Sequence, residues 1–84
     1  MDKEYTILLN EATQLQQYFK VIQLFDFEID IRSMDRRQLL DGKSIMGVMS
    51  LDLSNPIIVI PKTDNINEIN QFTAVMRQFQ IEER

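Results

Sequence analysis

The stretch Pro56-Ile57-Ile58-Val59-Ile60-Pro61 decides more about the fold than any other part of the chain. Its β-branched residues favour a β-strand, because their stiff side chains pack well on a pleated sheet. Proline has no N–H group to donate to a neighbouring strand. The two prolines therefore predict a strand that starts near Pro56 and stops near Pro61.

Three earlier segments also predict strands. Apolar and polar residues alternate over residues 5–9 and again over residues 27–32, and this period of two places one set of side chains on a buried face. A polar segment at 34–37 is typical of a turn, and residues 38–40 predict a short third strand that closes a hairpin. Asp41-Gly42 is expected to end that strand.

Two segments have the three- and four-residue spacing of amphipathic helices. The first starts at Asn10, a candidate N-cap, and covers about four turns; its apolar positions are Ala12, Leu15, Tyr18, Phe19, Ile22 and Phe25. The second starts at Asn65, which together with Glu68 has the spacing of a capping box, and it continues to the C-terminus. Its apolar positions are Ile66, Ile69, Phe72, Met76 and Phe79.

These elements predict an α+β fold, because strands and helices with one apolar face each are buried most simply as one sheet with the helices on one side. A chain of 84 residues is long enough for one hydrophobic core. We therefore expect residues 1–84 to form a single domain in the order βαββαβα, with both tyrosines at the edges of the core.

The composition excludes most catalytic and metal chemistry. Without cysteine or histidine there is no disulfide, no thiolate nucleophile and no imidazole base or ligand. Asp26, Glu28, Asp30 and Asp35 could suggest a metal site, but the alternation around residues 28 and 30 favours a solvated strand face. Arg36-Arg37 could hold an anion at the hairpin tip or simply keep that turn soluble. We expect no enzyme activity, no cofactor and no metal.

The charge and hydropathy patterns indicate a cytoplasmic protein that binds neither nucleic acid nor membrane. The net charge is −4, with acidic and basic residues interleaved, whereas a phosphate-binding surface needs clustered lysine and arginine. Residues 1–4 lack the basic start and apolar run of a signal peptide. No apolar run approaches the length of about 18 residues that a membrane span requires.

Residues 43–51, Lys-Ser-Ile-Met-Gly-Val-Met-Ser-Leu, hold most of the functional information. On a helix, the 45–53 segment forms two apolar arcs, one with Val48 and Leu51 and the other with Ile45, Met46, Met49 and Leu53. A short helix can bury only one arc, so the other is expected to be an exposed contact surface. Methionine suits such a surface because its flexible side chain repacks against different partners.

Ser44 precedes this helix at the N-cap position. Its hydroxyl can accept a hydrogen bond from a first-turn amide, as any N-cap serine does. It can also be a phosphorylation site, because a phosphate there meets free amides and the positive end of the helix dipole. Spacing alone leaves both interpretations open.

Residues 40–51 closely resemble the region around the regulatory serine of HPr, the small phosphocarrier protein of the bacterial sugar phosphotransferase system, and the element order is similar over the whole chain. The resemblance implies an HPr-like open-faced β-sandwich, a four-stranded antiparallel sheet covered by three helices. It also implies that Ser44 is phosphorylated by HPr kinase. The surface of Ile45, Met46, Gly47 and Met49 would then meet HPr kinase/phosphorylase, a CcpA-type transcription regulator and enzyme I.

The chain departs from HPr at the phosphocarrier site. HPr carries phosphate on a histidine followed by arginine and proline, and these positions fall near Glu11, Thr13 and Gln14. Imidazole attacks readily at neutral pH and leaves readily from a phosphoramidate. A glutamate early in a helix more often serves the helix dipole, and Thr13 supplies no cation for an acyl phosphate on Glu11. The loss of the histidine also puts binding to enzyme I in doubt.

Three functions follow from these features. The first is a regulatory, non-phosphocarrier HPr paralogue in carbon catabolite repression, similar to the catabolite-repression HPr-like protein, which also lacks the histidine. The second is a constitutive protein-interaction module without either phosphorylation function. The third is a phosphotransfer protein that uses Glu11.

Overall fold

Seven elements follow one another in the order βαββαβα in the computed structural model, which describes residues 3–81. They are β1 (Tyr5–Ile7), α1 (Ala12–Ile22), β2 (Ile29–Ser33), β3 (Leu39–Asp41), α2 (Ile45–Met49), β4 (Ile57–Pro61) and α3 (Ile66–Met76). The predicted α+β class is confirmed, and both the hairpin and the short helix are formed.

The four strands form one antiparallel sheet in the order β1-β4-β2-β3. The proline-bracketed strand β4 is central, and Val59 lies between Tyr5 of β1 and Ile31 of β2. Pro56 lies just before β4, and Pro61 is its last residue, opposite Ile29. Proline is tolerated at these positions because neither interrupts the middle of the hydrogen-bonded ladder.

One face of the sheet and all three helices form the hydrophobic core. Cross-strand partners share a face of a sheet, and the inward strand positions belong to one buried cluster with residues of every helix. The helix residues in this cluster are Tyr18 and Ile22 of α1, Val48 of α2, and Phe72 and Met76 of α3. The helices therefore pack on the same side of the sheet, as predicted.

The opposite face also buries two apolar side chains. Ile58 and Ile60 point away from the helices, yet they are only 4% and 5% exposed. Ile58 lies between Thr6 and Arg32 in the ladder, and Ile60 lies beside Asp30. The strand β4 is therefore buried on both of its faces.

Both long helices are shorter than the spacing predicted. The Asn10 cap was wrong, because Glu11 occupies the N-cap position, and α1 ends at Ile22 after about three turns. The helix α3 ends at Met76 and does not continue to the C-terminus. Residues 77–79 turn back toward β1, where the Leu8 N–H donates to the Phe79 carbonyl at 3.0 Å. The contact gives a partner to one of the backbone N–H groups that the edge of the sheet would otherwise leave unpaired.

Several side chains lie where periodicity did not place them. Ala12 is exposed and Ile66 is 66% exposed, although both were assigned to apolar helix faces. Tyr5 and Tyr18 are 2% and 0% exposed, so they lie within the core and not at its edges. Buried hydroxyls need partners, and these are Thr73 Oγ1 for Tyr5 and the Gly42 carbonyl for Tyr18.

The predicted N-cap of α3 is confirmed, but its reciprocal bond is not formed. Asn65 Oδ1 accepts from the N–H groups of Asn67 and Glu68 at 2.9 and 3.1 Å. The Glu68 carboxylate accepts from the Thr63 hydroxyl at 2.6 Å, and Thr63 Oγ1 in turn accepts from the Asn65 N–H. Thr63 thus completes the cap that a full capping box would close directly.

Candidate functional site

Ser44 caps the short helix α2, as predicted. Its backbone is extended, with φ −86° and ψ 119°, and its Oγ accepts a hydrogen bond from the Gly47 N–H at 3.1 Å. An N-cap side chain of this kind satisfies one of the amides that a helix leaves without a partner. The Ser44 side chain therefore has a fixed position at the start of α2.

The turn before Ser44 is held by Asp41 and Gly42. The Asp41 carboxylate accepts from the Lys43 N–H at 2.9 Å, and the Asp41 carbonyl accepts from the Ser44 N–H at 3.2 Å. The buried Gly42 N–H donates to the Ile29 carbonyl at 2.7 Å. A Cβ at residue 42 would lie 2.8 Å from Ile29 Cγ2, so glycine permits the close approach of this turn to β2.

Three side-chain contacts join the same turn to α1 and to the residues that directly follow it. The Tyr18 hydroxyl donates to the Gly42 carbonyl at 2.8 Å, and Gln23 Nε2 donates to the Lys43 carbonyl at 3.3 Å. The Lys43 ammonium donates to the Phe25 carbonyl. The position of Ser44 is therefore tied to α1 as well as to the sheet.

The environment of Tyr18 keeps its hydroxyl protonated. Burial raises the pKa of the Tyr18 phenol well above its usual range, and the negative charge of Asp41 adds to this effect. A neutral phenol is a hydrogen-bond donor. The bond to Gly42 is therefore maintained in the folded protein beyond the pH at which an ordinary tyrosine ionises.

The two apolar arcs of the 45–53 segment face opposite environments. Val48 and Leu51 are 0% and 7% exposed, whereas Ile45, Met46 and Met49 are 56%, 85% and 58% exposed. This confirms the predicted division of the segment. We call Ile45, Met46 and Met49 the α2 patch. Leu53 was assigned to the exposed arc, but it lies beyond α2 and packs partly buried against the core.

Gly47 connects the α2 patch to the cap. It is partly buried, and a Cβ at this position would lie 3.3 Å from both the Asp41 carbonyl oxygen and Ser44 Cβ. The absence of a side chain lets the first turn of α2 pack closely on the Asp41–Ser44 turn. Gly47 was predicted to bind a partner together with Ile45, Met46 and Met49. Unlike those three residues it is partly buried, and it lies next to Ser44.

Glu11, Thr13 and Gln14, the residues considered for phosphate transfer, lie at the start of α1. Glu11 is exposed at the N-cap, and its side chain makes no capping hydrogen bond. Thr13 is exposed, and the Oε1 atom of Gln14 is buried without a hydrogen-bond partner among the described residues. Glu11 was predicted to lie in the first turn of α1, but it is the N-cap residue, and that turn contains no acidic residue.

The charged residues of the hairpin have partners within the turn and in the segment before β1. Asp35 Oδ1 accepts from the Ser33 hydroxyl at 2.5 Å and from the Arg37 N–H at 3.0 Å, and these bonds lower the pKa of Asp35. Arg36 has a left-handed φ of 62°, and its guanidinium pairs with Glu4 at 3.1 Å. That hydrogen bond and the nearby charge raise the pKa of Arg36. Arg36 therefore contributes to an ion pair and not to an open anion site.

The remaining acidic residues do not converge. Asp30 lies 3.8 Å from the Lys62 ammonium, and Asp26 and Glu28 are exposed. Within residues 3–81, no group of three or more acidic, histidine or cysteine side chains could hold a metal ion. Over the same range, no helix has both the length and the apolar character to cross a bilayer.

Tyr18, Gln23 and Lys43 are the site residues that sequence reasoning missed. Only Tyr18 gave a usable signal, since a tyrosine on the buried face of a helix needs a partner for its hydroxyl. Its partner lies 24 residues away, and spacing within one helix does not reveal it. The side chains of Gln23 and Lys43 donate to backbone carbonyls. Because every residue has a carbonyl, the sequence does not indicate which one they bind.

No protein-family model matches the chain, and no curated protein matches it closely enough to be counted as a relative.

Proposed function

We propose that the chain is a regulatory, HPr-like protein of the phosphoenolpyruvate-dependent sugar phosphotransferase system that acts through Ser44 and not as a phosphocarrier. The observation that carries this proposal is the position of the Ser44 hydroxyl, which caps α2 directly beside three exposed apolar side chains. The order βαββαβα and the four-stranded antiparallel sheet support an HPr-like open-faced sandwich. The proposal includes the cytoplasmic location expected from the sequence.

The proposed modification is phosphorylation of Ser44 by HPr kinase/phosphorylase with ATP. Ser44 Oγ attacks the γ-phosphorus, the bond from that phosphorus to the β-γ bridging oxygen breaks, and ADP leaves. The hydroxyl proton passes to a base of the kinase. The product carries a charge of about −1.5 to −2 on Ser44 at pH 7.

The added charge changes what the α2 patch can bind. Before modification, the patch offers Ile45, Met46 and Met49 beside a neutral hydroxyl, which favours an apolar partner surface. After modification, a partner with a cationic side chain near the same surface gains a charge-assisted contact. A CcpA-type transcription regulator is the proposed partner of the phosphorylated form.

Two observations favour a constitutive interaction module as the second candidate. Ser44 is partly buried, and its Oγ is already engaged by the Gly47 N–H. The α2 patch is exposed without any modification. Transfer through Glu11 is not proposed, because Thr13 and Gln14 stand where HPr has its arginine and proline.

A kinase assay tests the proposed modification. Wild-type protein, Ser44→Ala and Ser50→Ala are incubated with ATP and an HPr kinase/phosphorylase that is active on a histidine-containing HPr. We expect one phosphate per chain in the wild type and in Ser50→Ala, and none in Ser44→Ala. An unmodified wild-type chain beside fully modified HPr would overturn the proposal.

A binding measurement separates the two candidates. Calorimetric titration of a CcpA-type regulator is carried out with the phosphorylated and unmodified protein. Binding that requires phosphate on Ser44 and is lost in Met46→Ser supports the regulatory function. Equal binding by the unmodified protein supports the constitutive module.

A further inference from the structure

We infer that Tyr18 is a positioning residue for Ser44: its hydroxyl holds the Gly42 carbonyl and so fixes the turn that presents Ser44 to a kinase. The inference rests on the proposed function, since it concerns the regulation of the same serine. Tyr18 does not touch the reacting hydroxyl; it acts through the Gly42–Ser44 backbone.

The Tyr18 hydroxyl is itself held in place by the core. Its ring is 0% exposed and packs edge-on against Phe19 and Phe79, with ring centroids 5.5 and 6.0 Å away. Close-packed core side chains stay in one rotamer for most of the time. The donor that meets the Gly42 carbonyl is therefore part of the rigid core.

Gly42 is held by hydrogen bonds on two sides. Its N–H donates to the Ile29 carbonyl at 2.7 Å, and its own carbonyl accepts from Tyr18 at 2.8 Å. These bonds fix both peptide groups of Gly42 relative to β2 and α1. Glycine is otherwise the most conformationally free residue, so such a hold is needed at this point in the chain.

The position of Gly42 also determines the position of Ser44. Only Lys43 separates the two residues, and the N–H groups of Lys43 and Ser44 both donate to Asp41. Removing the Tyr18 hydroxyl leaves the buried Gly42 carbonyl without this donor. An unsatisfied buried carbonyl is costly, and we expect the peptide to turn toward water to regain a hydrogen bond, which displaces Ser44.

A displacement of this kind affects phosphoryl transfer more than it affects folding. The attacking oxygen must lie in line with the leaving group, and an error of about 1 Å can cost roughly a hundredfold in rate. A role limited to stability predicts no loss of rate while the protein remains folded.

Tyr5 provides a matched control. It is also buried, and its hydroxyl forms a hydrogen bond of 2.5 Å with Thr73 Oγ1, between β1 and α3. The strands β1 and β3 lie at opposite edges of the sheet, so this bond is remote from the Asp41–Ser44 turn. Tyr5→Phe and Tyr18→Phe remove the same atom from the two ends of the core.

The experiment compares these variants in the kinase assay at a temperature where circular dichroism shows both to be folded. We expect Tyr18→Phe to lower kcat/KM for phosphorylation of Ser44 by about fivefold or more, and Tyr5→Phe to change it by less than about twofold. A second measurement, amide hydrogen exchange by NMR, needs no kinase. We expect exchange at Ser44 and Gly47 to be faster in Tyr18→Phe alone.

The outcomes separate the inference from the function on which it rests. Equal kcat/KM and equal exchange in the two variants would overturn the positioning role and leave the proposed function intact. A wild-type protein that is not phosphorylated would overturn the proposed function. In that case, the exchange rates alone decide whether Tyr18 holds the Ser44 turn.

Discussion

The hydroxyl of Tyr18 lies 2.8 Å from the carbonyl oxygen of Gly42, 24 residues further along the chain. The bond joins the middle of α1 to the turn between β3 and α2. It is a polar contact inside the core, and burial raises the pKa of Tyr18. Ionisation of Tyr18 is therefore linked to unfolding.

Stability is expected to fall in alkaline solution because of Tyr18. Below pH 10, the ordinary pKa of tyrosine, the phenol is protonated in both folded and unfolded chains and has no pH effect. Above pH 10 only the unfolded chain releases the proton, so the free energy of unfolding falls by up to about 1.4 kcal/mol per pH unit from this group. Urea unfolding of the wild type and Tyr18→Phe between pH 8 and 11 measures the difference. Parallel pH curves for the two proteins would contradict the prediction.

Gly42→Ala is expected to destabilise the fold by about 1–3 kcal/mol, because the new Cβ overpacks a filled site. It would lie 2.8 Å from Ile29 Cγ2 and 3.0 Å from the Ile29 carbonyl oxygen. Gly47→Ala is the control: its nearest contacts are 3.3 Å, and alanine gains about 1 kcal/mol of helix propensity. Urea unfolding should give a clear loss only for Gly42→Ala, and a larger loss for Gly47→Ala would show that the turn is packed differently.

Ser44→Ala is expected to lower the free energy of unfolding by about 1 kcal/mol, because the Gly47 N–H loses its acceptor. For a domain of this size the melting temperature should fall by about 4–8 °C. Ser44→Asp keeps an N-cap acceptor and should remain close to the wild type. Thermal unfolding followed by circular dichroism compares the three proteins. Equal melting temperatures for Ser44→Ala and the wild type would show that the cap contributes nothing.

The two arcs of the 45–53 segment should respond oppositely to truncation. Val48→Ala removes two buried methyl groups and should cost about 2 kcal/mol. Met46→Ser and Met49→Ser alter exposed side chains and should stay within about 0.5 kcal/mol of the wild type. Urea unfolding of the three variants tests this order. A large loss for either methionine variant would mean that the α2 patch is covered by the protein itself.

Low pH should weaken a second turn, at Asp52. Hydrogen bonds from the hydroxyl and the N–H of Ser54, at 2.6 and 3.1 Å, lower the pKa of the Asp52 carboxyl. Its contribution to stability is present above the ordinary pKa of 3.8 and is lost as the pH falls through the lower folded value. Asp52→Asn should therefore show a weaker acid dependence than the wild type in urea unfolding between pH 5 and 2. An unchanged acid dependence would contradict the prediction.

Much of the fold could be predicted where a local rule and the tertiary structure agree. Pro56 and Pro61 marked the ends of β4 because the missing N–H acts on the strand itself. Helix ends were less predictable. Phe25 and Phe79 continue the apolar spacing of α1 and α3 and are buried, but the chain has already left each helix. Apolar spacing reports burial, whereas a helix ends where its backbone hydrogen bonds end.

The site was predictable to a similar degree. Ser44 as a cap and the division of the 45–53 segment into two apolar arcs followed from short-range spacing, because the N-cap bond spans three residues and a short helix has only one buried side. The ion pair of Arg36 with Glu4, 32 residues apart, did not.

The sequence alone determined the strand and helix types, the capped serine and the absence of histidine, since each depends on residue identity or on neighbours within one or two turns. The tertiary structure decided which arc of the 45–53 segment is buried, how the Asp41–Ser44 turn is held, and that Tyr18 meets Gly42. Those outcomes depend on contacts between distant segments, which form only when the helices pack on the sheet.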